Sequence, residues 1–280
     1  MWKKRLCLGT FSEKNLPVDK QIELFGKVGF EAFFTGWNEA APIPEWKKKA
    51  DETGMIYQSI HAPFGRMSDM WENDSSRADK ALEELMKCLA DCKKYEVPIM
   101  VVHAIIGFDK HSPNELGVER FGRLIKEAQG SGVKIAFENT EGKEYLDILL
   151  KSFADVKEVG FCWDSGHEMC YNFSRDLLDE YGEKLVCTHL NDNLGIRDYD
   201  GNITWHDDLH LLPYDGIADW KYNVSRLKKC GYDDILTFEL CNYSKPDRHE
   251  NDAYSRMDFT DYVTEAYMRA CRVASEFLRA

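Results

Sequence analysis

Four short apolar runs, each breaking into polar side chains at its C-terminal end, constrain this chain more than any other feature. They are VKIAFENTEG (133–142), GFCWDSGHEMC (160–170), LVCTHLNDN (185–193) and ILTFELC (235–241). Each has the continuous apolar stretch expected of a strand buried on both faces. Glu138, Asp164, His189 and Glu239 therefore occupy matching positions at the ends of four successive strands. In a parallel barrel such ends converge on one face, where active sites are built. Three carboxylates and an imidazole gathered there would desolvate and repel one another unless a divalent cation neutralised them. A metal site held by these four residues is the expectation. Mixed carboxylate and imidazole donors suit Mn2+, Mg2+, Co2+ or Zn2+ without choosing among them.

Four further strand-like runs precede these: RLCLGTF (5–11), EAFFTGW (31–37), MIYQSIHAPF (55–64) and IMVVHAI (99–105). Amphipathic stretches lie between them. The clearest, 75–95, puts Ala78, Leu82, Leu85, Met86, Leu89 and Cys92 on one stripe, with N-cap chemistry from Asp74-Ser75-Ser76. A second helix is expected after Ser112-Pro113-Asn114-Glu115, with a serine cap and proline in its first turn, and a last one over 256–279. Strand–helix alternation demands parallel strands with right-handed crossovers, and eight of them close into a (β/α)8 barrel. An open doubly wound sheet would want a glycine-rich turn after its first strand, and LGTFSEKN is not one. A single α/β domain over residues 1–280 is the expectation.

Charge and cysteine usage narrow the function. A formal net charge of −13 opposes a protein that grips nucleic acid by bulk electrostatics. No apolar run approaches membrane-spanning length, and MWKKRLCLGTF lacks the apolar core of a secretory signal. The nine cysteines are scattered and mostly within apolar segments. Cys162, Cys187 and Cys241 fall in predicted strands and Cys88 and Cys92 on one helix face, so reduced packing thiols and a cytoplasmic enzyme are expected. The longest irregular stretch, Leu194 to about Ala218, carries Arg197, Asp198, Tyr199, Trp205, Asp208 and His210, and a loop of that length in a compact domain is usually functional. Tyr243 to Asp252 is a second polar loop and a candidate lid.

The motifs HAP (61–63), FEN (137–139), WDSGH (163–167), HLNDN (189–193), DLHLLPYDGIADW (208–220) and FEL (238–240) run through nearly the whole chain in order. In these the sequence resembles the xylose isomerase-like barrel superfamily, in its sugar (phosphate) isomerase and epimerase branch. The resemblance implies one divalent cation on Glu138, Asp164, His189 and Glu239. It also implies that Glu138 and Glu239 are the acid/base pair and that His167 contacts substrate oxygens. A sugar carbonyl and its neighbouring hydroxyl would chelate the cation, which acidifies the adjacent C–H. One carboxylate removes that proton to give an enediolate, and returning it to the opposite face epimerises while returning it to the next carbon isomerises.

His61, His103, His167 and His210 also fall at or near strand ends and are expected to line the substrate site. The ketose 3-epimerases of this superfamily carry a substrate glutamate six residues after the first catalytic one, where Glu144 stands. Their arginine six residues beyond the metal histidine is replaced by Gly195, with Arg197 two further on. Of the aromatics near the strand ends (Phe11, Trp37, Phe64, Trp71, Trp163, Trp205), Trp37 and Trp163 are expected to offer a face to the sugar. Basic residues there are few (Arg66, Lys110, Lys143, Arg197), which favours an unphosphorylated sugar. The small-molecule partner is thus a sugar, and a homo-oligomer is compatible with everything above. Three rival readings stand, one of them a non-catalytic sugar-binding barrel. His61, His103, His167, Asp208 and His210 complete a set resembling the three-zinc site of endonuclease IV-type apurinic endonucleases. A dehydratase of an inosose-type polyol would use the same cation and carboxylates but expel a β-hydroxyl.

Overall fold

The computed structural model describes residues 4–12, 16–109, 112–197 and 203–280. Its eight strands are β1 (Leu6–Gly9), β2 (Ala32–Gly36), β3 (Ile56–His61), β4 (Ile99–His103), β5 (Lys134–Glu138), β6 (Val159–Asp164), β7 (Leu185–His189) and β8 (Leu236–Phe238). The helices are α1 (Val18–Val28), α2 (Ile43–Thr53), α3 (Ser75–Lys94), α4 (Glu115–Ala128), α5 (Lys143–Ser152), α6 (Ser165–Cys170), α7 (Leu177–Tyr181), α8 (Trp220–Lys229) and α9 (Phe259–Arg279). The sheet order is β7-β6-β5-β4-β3-β2-β1-β8, every pairing parallel. Between β7 and β8 the circle is completed just past β7, by the single parallel bridge Leu190–Phe238. Two backbone bonds flank it, Leu190 N to Thr237 O at 2.7 Å and Glu239 N to Leu190 O at 3.2 Å. The chain is a single-domain TIM barrel.

Strand alternation sorts the side chains into two cores. Val101, Ala136, Cys162 and Cys187 face inward and pack together inside the barrel. Val102, Phe137, Phe161 and Trp163 face outward, into the large layer shared with the helices. Two steps along from the inward set come His103, Glu138, Asp164 and His189, which therefore also point inward, at the C-terminal mouth. Register fixes their neighbours: His103 pairs with Glu138, and Asp164 with His189.

The helix over 75–94 is capped by Asp74, whose carboxylate accepts from the Ser76 and Arg77 backbone N–H groups. The next helix starts later than expected. Its cap is Asn114, accepting from Leu116 and Gly117, while the Ser112 N–H donates to the Tyr145 hydroxyl at 2.7 Å. Asparagine satisfies the orphan N–H groups as well as serine would, so composition alone could not choose between the two. Strand β8 is also shorter than the run 235–241 suggested. It stops at Phe238, which leaves Glu239 and Cys241 in the following loop. The stretch from Leu194 includes one short 3-10 turn, Trp205–Asp207, and Lys110, Asp198 and Tyr199 lie outside the described residues. No helix among those described is long and apolar enough to cross a membrane.

Asp192 anchors the long loop after β7. Fully buried, its carboxylate accepts from the backbone N–H groups of Asn193, Tyr214 and Ala218 and from Trp220 Nε1, at 2.8–3.0 Å. Gly216 lies against it so closely that a Cβ there would overlap Asp192 Oδ1 and the Asn193 backbone. The loop is thus tied down at its far end while its middle returns Asp208 and His210 to the barrel mouth.

Candidate metal centre

Glu138, Asp164, His189 and Glu239 each offer one ligand atom such that all four atoms lie within 4.8 Å of one another. The first three are fully buried and the Glu239 side chain is about a quarter exposed. His189 Nδ1 sits between two carboxylates, 2.8 Å from Glu138 Oε1 and 3.1 Å from Glu239 Oε2. Asp164 is oriented by its neighbours. Its Oδ1 accepts from the His167 N–H at 2.6 Å, capping α6, and its Oδ2 from Asn191 Nδ2 at 2.8 Å. Asn139 then locks β5 to β6, accepting from the Asp164 N–H and donating to its carbonyl.

A second layer of imidazoles surrounds these groups. His61 Nε2 and His103 Nε2 each lie 3.2 Å from Glu138 Oε2. His167 Nε2 is 3.4 Å from Asp208 Oδ1, and His210 Nε2 is 2.8 Å from Asp208 Oδ2. In three of them Nδ1 is held by a backbone carbonyl: His61 by Ala62, His167 by Asn139 and His210 by Glu239, at 2.9–3.2 Å. A ring that donates through Nδ1 presents Nε2 as its lone pair, and here Nε2 points at a carboxylate in every case. That is the way proteins pre-set imidazole ligands. His61, His103 and Glu138 form one close group and His167, Asp208 and His210 another.

The site's electrostatics describe the protein alone. Burial pushes the Glu138 carboxyl upward, but the His189 charge and hydrogen bonds from His103, His189 and His61 outweigh it and hold the group well below the usual range. Glu239 follows the same balance: burial opposes, His189 prevails, and the carboxyl falls to about 2. Burial dominates at Asp164, raising it to about 6. Burial would discharge His189, yet Glu239 and Glu138 hold its pKa well above the ordinary value, and Asp164 and Asp208 lift His167 to about 10 against the same penalty. Protons on imidazoles thus neutralise the carboxylates where a cation could. Several buried polar atoms among the described residues have no hydrogen-bond partner, and four of them belong to this site: His103 Nδ1, His189 Nε2, Asn191 Oδ1 and Asp208 Oδ1. Oxygen and nitrogen donors at this spacing, with orphaned polar atoms among them, fit a divalent cation. A fourth close group, Cys162, Cys187 and His189, lies one layer deeper, and burial keeps the Cys162 thiol protonated, as suits packing.

The remaining expected site residues divide. Glu144 is exposed beside a cavity on the β5 side of the mouth, and Arg197 is exposed on the loop after β7. The two tryptophans are corrections. Trp163 is fully buried, its Nε1 donating to Glu168 at 2.9 Å and its ring under the Arg226 guanidinium. Because Asp164 points into the barrel, its neighbour on the strand must face the helices. Trp37 is buried too, donating to Asp91 of α3 at 2.7 Å. Phe64 offers the aromatic surface instead: it is 45% exposed and stacks on His103 at 4.7 Å. Lys245 went unnoticed in the sequence. Its ammonium lies 3.8 Å from Asp208 Oδ2, delivered by the loop after β8, and a lysine in a polar loop carries no signal of that placement.

Asn191 gives a test of how Asp164 is held. Gly166 packs against it so tightly that a Cβ would overlap Asn191 Oδ1. Gly166→Ala should displace Asn191 from Asp164 and weaken divalent-cation binding by about 10- to 100-fold, the usual cost of losing a supporting hydrogen bond. Calorimetric titration with Mn2+ or Zn2+ measures this, and unchanged affinity would remove Asn191 from that role.

The sequence model of the xylose isomerase-like TIM barrel matches residues 21–260. An inosose isomerase of Bacillus licheniformis is 27% identical over 172 residues, covering 57% of this chain and 59% of that protein. The chain spans between 33% and 64% of the length of the curated relatives it matches. Among solved structures, an IOLI protein with a bound zinc atom superposes with a TM-score of 0.75 at 20% identity, over 98% of this chain and 99% of that one. A 3-keto-D-glucoside 4-epimerase from E. coli superposes at 0.68 with 17% identity, over 95% and 100%. With the family's sequence model spanning strands β2 to β8, the chain belongs to the xylose isomerase-like TIM barrel family.

Proposed function

We propose that this protein is a divalent-cation-dependent isomerase or epimerase of a ketose- or aldose-type sugar. The observation that carries the reading is the convergence of Glu138, Asp164, His189 and Glu239 within 4.8 Å. The names of similar proteins, an inosose isomerase and a 3-keto-D-glucoside 4-epimerase, support the reaction class. Glu138, Asp164, His189 and Glu239 would hold the cation, which when bound polarises a carbonyl and lowers the barrier to removing the neighbouring proton. Both carboxylates are ionised, and Glu239 is the accessible one, so it is the better placed to act as the base. Glu138, fully buried under three imidazoles, is the more rigid partner for proton return. His167 and His210, fixed through Nδ1 by backbone carbonyls, would orient substrate oxygens with Nε2. The test is elemental analysis of the purified protein with a screen of ketoses, aldoses and inososes for deuterium uptake from solvent. One ion per chain and exchange at a sugar carbon support the reading; an ion without exchange on any of them would sink it, and loss of water from product would make it a dehydratase.

A multi-ion phosphodiesterase is the second reading, favoured by the two further groups His61/His103/Glu138 and His167/Asp208/His210. Lys245 argues against it, since an ammonium 3.8 Å from Asp208 repels a cation at that group, and so does the net charge of −13. Three ions per chain with nicking of abasic duplex would establish it.

Cation binding should release protons. His189 is held protonated by Glu138 and Glu239, and its raised pKa means it carries that proton at neutral pH. A cation needs the neutral ring and displaces the proton, so affinity should rise with pH by about one log unit per pH unit for each proton expelled. Titrations in buffers of different ionisation enthalpy count the protons directly. Glu138 and Glu239, already ionised, should add none.

A further inference from the structure

A cavity of about 1150 Å3 opens beside the metal centre and takes no part in the chemistry described above. Its walls come from four connections: Phe108 and Asp109 after β4, Glu141–Glu144 and Asp147 after β5, Tyr171–Phe173 and Arg175 after β6, and Ile203 and Thr204 after β7. Those four connections leave the strands that end in His103, Glu138, Asp164 and His189, so cavity and site share one barrel face. The Tyr171 ring is the wall between them, 5.0 Å from the His167 ring on one side and 5.4 Å from Phe108 on the other. The space exceeds the roughly 300–1,000 Å3 typical of sites for drug-sized ligands. A single sugar ring at the metal would leave it empty.

Its lining identifies the chemistry. Three aromatic rings, Phe108, Tyr171 and Phe173, stand among four carboxylates and the one amide of Asn172. Both cations there are already paired: Lys143 with Asp147 and Glu180 at 2.7–2.8 Å, and Arg175 with Glu180 at 2.6 Å. An anionic ligand would find no unpaired positive charge among these described residues. Apolar ring faces beside carboxylate oxygens, which accept from hydroxyl groups, suit a neutral polyol ring. The backbone adds a second, independent sign. Phe173 and Ser174 both adopt positive φ, +57° and +51°, a conformation that disfavours a bulky side chain. This turn, held by the Ser174 N–H on the Glu168 carbonyl, keeps the Phe173 ring 60% exposed at the cavity rim. Strained backbone of this kind clusters where ligands are held, and here it sits on the rim of a cavity.

The geometry points to a subsite for a second, glycosidically linked sugar ring, so that the substrate is a glycoside-sized ketosugar and not a free monosaccharide. This rests on the isomerase reading for the reacting ring. Lactulose, turanose and isomaltulose are fructose carrying a second sugar at three different positions, and fructose itself is the control. Binding of all four to the metal-loaded protein is measured by calorimetry and saturation-transfer NMR. At least one disaccharide should bind tenfold or more tightly than fructose. Phe173→Ala and Phe108→Ala, both at exposed positions, should erase that preference while leaving fructose affinity unchanged. Three disaccharides that bind no better than fructose, or a preference that survives both substitutions, would overturn the proposal. Deuterium uptake, followed separately, reports on the isomerase reading, so its failure is distinguishable from failure of the subsite.

Discussion

Glu138→Gln should reduce solvent-deuterium exchange into substrate by at least about 10²- to 10⁴-fold, the range by which a positioned acid or base accelerates proton transfer. The effect should exceed that of any other single replacement at the mouth, because Glu138 answers to more partners. Its two oxygens meet His61, His103 and His189 within 3.2 Å, and His167 Nδ1 lies 3.7 Å away. The amide keeps the shape but removes the charge that helps hold His189 protonated and His61 above its ordinary pKa. Two consequences separate this from general damage. Divalent-cation affinity should fall, measured by elemental analysis after dialysis. Circular dichroism should remain that of the native barrel, since the replacement is isosteric. Full exchange activity in the Gln variant would take Glu138 out of the proton-transfer pair and leave Glu239 to act with another group.

The largest expected loss of stability lies elsewhere, at Asp192. Asp192→Ala removes a fully buried carboxylate and strands three backbone N–H groups and the Trp220 indole. Leaving buried donors unsatisfied costs about 1–3 kcal/mol each before relaxation, so a total of roughly 3–5 kcal/mol is expected after the loop adjusts. For a chain of this size that corresponds to a Tm lower by about 10 °C. Asp192→Asn should fall between, because one oxygen still accepts while the new NH2 faces donors. Differential scanning calorimetry checks both. An unchanged Tm in the alanine variant would show that the loop after β7 is anchored without this carboxylate, by backbone bonds such as the Asp192–Leu211 pair and Ile217 N–H to Asn193 O.

The barrel and its four central donors could be read from the chain because one rule generates both. A parallel strand that ends in a carboxylate or histidine announces its direction and its chemistry together, and four did so in succession. Other features failed for definable reasons. Trp163 was expected at the sugar because it neighbours Asp164, but the two-residue period of a strand turns neighbours to opposite faces. That correction was available from the sequence itself. Lys245 was not, since its approach to Asp208 depends on a loop path held by contacts such as Ser244–Asp252 and Arg248–Asp207. The subsite was equally hidden. Its rings come from two different loops, and the positive φ of Phe173 leaves no mark in residue order.

The way the circle of strands is completed bears on how this molecule would come apart. Seven neighbouring strand pairs share ladders, whereas β7 meets the three-residue β8 through one bridge at Leu190–Phe238. The residues next to that bridge are His189 on one side and Glu239 on the other. An ion gripped by both would be a rivet across the thinnest seam of the cylinder. Stripping it would loosen the staves there first, so that the ion proposed for the chemistry would also decide where the barrel begins to open.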